Sequence, residues 1–101
     1  MRVAVLLIGA LLMPAFVAPS VAQAQTPGET RVMNAFMRQG MTRDKAWCYS
    51  NIINQMLGPD GTVRAAAIVE AAPNGQAVQQ EVMNAGVPMI NAFSAAHNTC
   101  G

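Results

Sequence analysis

The sequence predicts an all-α fold, a small bundle of four or five short helices stapled by one disulfide. Three observations predict it. Apolar residues recur three and four apart between short Gly- and Pro-containing breaks, the period of a helix with one buried face. No stretch alternates apolar and polar residues for long, and β-branched residues are sparse, so strands are not expected. The two cysteines, Cys48 and Cys100, follow an export signal and so meet an oxidising compartment.

That signal is residues 1–24. Arg2 gives a positive start, Val3 to Val17 is an apolar run broken by Gly9 and Pro14, and Ala22-Gln23-Ala24 supplies small residues for a signal peptidase, with cleavage expected before Gln25. The run is short of the roughly 20 apolar residues a membrane span needs, so no stable membrane insertion is expected after cleavage. Removing residues 1–24 from the 101 leaves 77, one small domain whose core alone is marginal. Closing the 48–100 loop adds about 4 kcal/mol in the chain-entropy account, comparable to the whole stability of such a domain. The expected location is the periplasm or the exterior.

The elements follow in order. Residues 25–29 are expected to form a loose tail and 30–101 a single helical domain. The first helix covers residues 30–39, with Val32, Met33, Phe36 and Met37 on one side, and Gly40 ends it. Thr42 caps the second, which runs to Leu57 with Ala46, Tyr49, Ile52, Ile53, Met56 and Leu57 in one stripe. Gly58-Pro59-Asp60-Gly61 is a turn. The third, residues 62–72, is apolar nearly all round (Val63, Ala65, Ala66, Ala67, Ile68, Val69), which predicts an enclosed central helix. Pro73-Asn74-Gly75 separates it from a fourth, residues 76–85. Gly86-Val87-Pro88 then breaks the chain before a fifth, residues 88–98.

Charge excludes some partners. Residues 25–101 carry Arg31, Arg38, Arg43, Lys45 and Arg64 against Glu29, Asp44, Asp60, Glu70 and Glu81, with neither sign clustered. A nucleic-acid binder needs a basic stripe to displace counterions, so nucleic acid is not an expected partner. Catalytic signatures are missing too: there is one histidine, no GxSxG, no HExxH and no phosphate loop. No enzyme activity and no cofactor are expected. Glu70, inside the most apolar helix, is expected to face outward or pair with an arginine.

The candidate site residues are few. Cys48 and Cys100 form the staple; without CxxC a redox role lacks its motif. His97, with Met33 and Met37, is a candidate haem, metal or small-ligand set, set against a histidine partly buried near the disulfide and methionines that fill a small core. Trp47 points away from the second helix's apolar stripe, towards Asn51 and Asn54. Either the first helix or the tail covers it, which a protein this small favours, or it anchors a partner protein. The expected function is a non-catalytic, exported protein-interaction module with Trp47, Asn51 and Asn54 as its surface. The alternatives are a ligand binder centred on His97, and a structural component of the envelope with no separable site.

Overall fold

Thr26 caps the first helix of the described residues. Its hydroxyl accepts from the Glu29 amide at 3.1 Å while Glu29 Oε1 accepts from the Thr26 amide at 2.9 Å, a reciprocal capping box with Pro27 at the first helical position. The computed structural model describes residues 25–101; the expected signal peptide lies outside the described residues. Among the described residues there are four helices and no strands: α1 (Pro27–Arg38), α2 (Arg43–Ala71), α3 (Gly75–Ala85) and α4 (Val87–Cys100).

The loose tail expected at residues 25–29 is therefore replaced by the first turn of α1. The T-x-x-E pattern with a proline between was the local signal for it. Tertiary contacts then hold that turn down. A Cβ on Gly28 would lie 3.3 Å from side-chain carbons of both Thr62 and Val63, so α1 approaches α2 closely there. Gln25 Nε2 reaches Ser50 Oγ at 3.4 Å and Met33 Sδ at 3.7 Å. At the other end Gly40 (φ +100°) closes α1 as expected, with Gly40 N–H donating to Met37 O and Met41 N–H to Phe36 O.

The expected four-residue turn after Leu57 is a kink at one residue. Gly58 takes φ 76°, ψ 179°, a backbone region essentially reserved for glycine, and Pro59 immediately begins a new helical limb. α2 is thus two limbs, residues 43–57 and 59–71. Gly61 makes the bend possible from inside: a Cβ there would fall 2.5 Å from Leu57 Cβ. The Thr62 hydroxyl, fully buried, braces the joint, lying 2.7 Å from Gly58 O and 3.0 Å from Asn54 Oδ1.

The second limb corrects another expectation. It is not enclosed: Thr62, Ala65, Ala66 and Val69 are buried, while Val63, Arg64, Ala67, Glu70 and Ala71 are exposed. With so few helices no layer lies outside it, and alanines expose little apolar surface when left in water. α1 runs alongside this limb in the same direction. Arg31 holds Glu70 in a two-pronged ion pair (2.6 and 3.0 Å), and Gln39 donates to Val69 O and Ala72 O, satisfying carbonyls at the end of α2. The Arg31 guanidinium holds the Glu70 carboxyl below its ordinary value.

Asn74 caps α3 through the Ala77 amide at 2.9 Å. Gly86 (φ 108°, ψ 171°) breaks α3 from α4, with Pro88 in the first turn, and α4 continues to Cys100. The disulfide joins Cys48 on the first limb to Cys100, with Cα atoms 5.9 Å apart. One core joins the four helices: Val32 and Phe36 from α1, Ile53 and Val69 from α2, Val78 and Val82 from α3, and Met89 and Ala92 from α4.

Candidate functional site

Two chain segments leave a groove between them. α1 and α4 both pack on α2, but α3 packs mainly on α4 and only lightly on α2. The gap between the end of α1, the first limb of α2 and the α3–α4 pair is a groove of about 700 Å³. Its lining includes Phe36, Tyr49 and Phe93, and the rings are in contact. Phe36 meets Tyr49 edge to face at 5.1 Å, and Phe93 at 6.1 Å. Val78, Val82 and Met83 line it from α3, Ile90 from α4, and Met41 from the turn after α1.

Polar side chains line the groove as well. Tyr49 Oη and His97 Nδ1 are 3.2 Å apart, within hydrogen-bond distance. The staple sets this pairing, since Cys48 precedes Tyr49 and Cys100 lies three residues beyond His97. Burial pushes the Tyr49 phenol above its ordinary value, so it stays neutral near pH 7. Lys45, one helical turn before Tyr49, also lines the groove, with Ser94 and Asn98 beside His97. No carboxylate is among the lining residues.

Each residue singled out from the sequence has a definite place. Cys48 and Cys100 are bonded to each other. His97 is exposed on α4 rather than partly buried, and it lines the groove. Met33 sits in the core against Val32 and Phe36, and Met37 is exposed; neither lines the groove with His97. Among the described residues no three His, Cys, Asp or Glu side chains cluster as a metal site. Trp47 is 44% exposed, so it is not covered over as expected. α1 instead meets the first limb through Phe36 on Tyr49, and Gln25 reaches Ser50. Asn51 is half-buried, and Asn54, also half-buried, turns its amide to Thr62 at the kink.

No known protein family, curated protein or solved structure matches this chain. The functional reading accordingly rests on the groove and its lining. Sequence reasoning missed the groove because its residues come from four elements whose spacing no local pattern encodes. The Phe36, Tyr49 and Phe93 rings, each on an apolar stripe, were the one visible hint. Among the described residues no helix is long and apolar enough to cross a membrane. Every buried side-chain nitrogen or oxygen among them has a hydrogen-bond partner.

Proposed function

We propose that this chain is an exported, non-catalytic binding module that seats a small apolar ligand in the groove between α1, α2 and the α3–α4 pair. The groove itself carries the reading. Its volume of about 700 Å³ falls in the range of roughly 300–1,000 Å³ typical of small-molecule sites. Its lining combines aromatic and aliphatic side chains with polar ones, the usual composition of such sites. The disulfide supports the export reading, since it persists in an oxidising compartment.

Nile red, a neutral dye, tests this without favouring any charge. One equivalent should bind to the oxidised protein with a blue-shifted emission. Ser94→Trp, at an exposed groove-lining position, should weaken that binding at least about tenfold, equivalent to ~1.4 kcal/mol. Its melting temperature should not change. No saturable binding, or binding untouched by Ser94→Trp, rejects the reading.

A second reading has its own observation, the half-exposed indole of Trp47. Exposed tryptophan at the surface of a small domain suits a protein–protein contact. With Asn54 engaged at the kink, that surface reduces to Trp47 and Asn51. If Trp47→Ala leaves melting unchanged and also leaves every partner contact of the native protein intact, this reading is finished.

A further inference from the structure

We infer that the groove selects a single-chain amphiphile with one anionic head, of the fatty-carboxylate class. The inference rests on the groove reading above and adds the chemistry of the occupant. Phe36, Val78, Val82 and Phe93 give the groove an apolar surface without side-chain donors or acceptors, and Gln39 and Gln79 line it beside them. A hydrocarbon chain loses nothing against those four side chains, because it has no polar group to leave unpaired. Met83, which is exposed, and Met41 also line the groove and are flexible and polarizable, suited to following a chain of variable shape.

The ionisable lining groups decide the head group. Lys45 and His97 are the ionisable nitrogen groups that line the groove, and no carboxylate opposes them. The Tyr49 hydroxyl lies within hydrogen-bond distance of His97, so a head group seated there meets a linked set of polar groups rather than one isolated side chain. An ammonium is the natural partner of a carboxylate, and charge-assisted hydrogen bonds are roughly twice as strong as neutral ones. Residues 25–101 carry equal numbers of acidic and basic side chains, so a preference for anions must arise locally, at Lys45 and its neighbours.

The test is calorimetric titration of the oxidised protein with dodecanoate and dodecyltrimethylammonium, each below its micelle concentration, and with dodecanol below its solubility limit. Dodecanoate should bind at least about tenfold more tightly than the other two, as expected when one charge-assisted contact is added. Lys45→Gln, at a half-exposed position, should bring dodecanoate down to the level of dodecanol and leave dodecanol and the melting temperature unchanged. If Nile red binds and responds to Ser94→Trp but the three heads bind alike, the inference falls and the groove reading survives. The inference falls in the same way if Lys45→Gln leaves the dodecanoate preference intact, or if no dodecyl compound binds. If Nile red does not bind, both fall.

Discussion

The kink in α2 rests on two glycines that act for different physical reasons, and substitution separates them. At Gly58 there is open space: nothing lies within 4 Å of an added Cβ, so any penalty comes from the backbone at φ +76°. Holding an L-residue in that region costs about 1–3 kcal/mol. For a domain of this size each kcal/mol shifts Tm by about 4–8 °C, so Gly58→Ala should lower it by roughly 4–24 °C. At Gly61 the φ is ordinary, but the added Cβ would fall 2.5 Å from Leu57 Cβ, an atom no rotamer can move. Overpacking of that kind costs about 1–3 kcal/mol, partly offset by the ~1 kcal/mol helical preference of Ala over Gly. The decisive comparison is D-alanine at position 58, made by chemical synthesis of residues 25–101 and oxidation. The mirror image of φ 76°, ψ 179° is an extended conformation that L-residues adopt freely, so D-Ala should fit. It should match or exceed the wild type by about 0.4–1 kcal/mol, because it also restricts the unfolded chain. Urea and thermal unfolding followed by far-UV circular dichroism give the ranking. If L-Ala at 58 is tolerated within ~0.5 kcal/mol, or if D-Ala is no better than L-Ala, the backbone argument is wrong.

Three further predictions concern the attachments of α1 and α4. Replacing both Cys48 and Cys100 by Ala opens a loop with a sequence separation of 52. This should lower stability by about 4 kcal/mol, read from the urea midpoint; a loss under ~1 kcal/mol would show that the unfolded chain is not entropically restrained by the bond. Thr26→Ala removes the α1 cap and should cost about 1 kcal/mol, with faster amide exchange in the first turn; unchanged exchange would mean that Gly28 packing alone holds it. Glu70 is held below its ordinary value by Arg31, so its contribution is present above the unfolded value near 4.5 and lost as pH falls through the folded one. The stability gap between wild type and Glu70→Gln should therefore narrow on acidification below that value, and also with added salt because the pair is exposed; a gap that widens in acid contradicts this assignment.

Some of this structure was legible because it is local. Gly40, Gly86 and Pro88 mark helix ends for reasons confined to one or two residues: a positive φ or a missing amide hydrogen. The apolar stripes through Val32 and Phe36, through Ala46, Tyr49 and Ile53, and through Val78 and Val82 follow helical geometry, and those side chains are in the core. Thr26-Pro27-Gly28-Glu29 was equally local, yet its Pro-Gly pair suggested a tail and hid the capping box. The second limb misled for another reason. A helix rich in alanine looks the same in sequence whether it is central or half-solvated, because periodicity gives the contrast between faces and alanine supplies little.

The sequence by itself determined the helical class, the positions of the breaks and the pairing of two cysteines, because each depends on residue type and short-range spacing. Only the tertiary structure decided that Gly58 alone, without a four-residue turn, separates the two limbs of α2, that Trp47 is half-exposed, and that His97 meets Tyr49. The groove belongs to the second group. Phe36, Tyr49, Val82 and Phe93 come from four different helices, and their meeting depends on how α1 lies along the second limb and how the disulfide holds α4 on the first. Those are long-range choices set by packing and by a covalent bond, which no local pattern records.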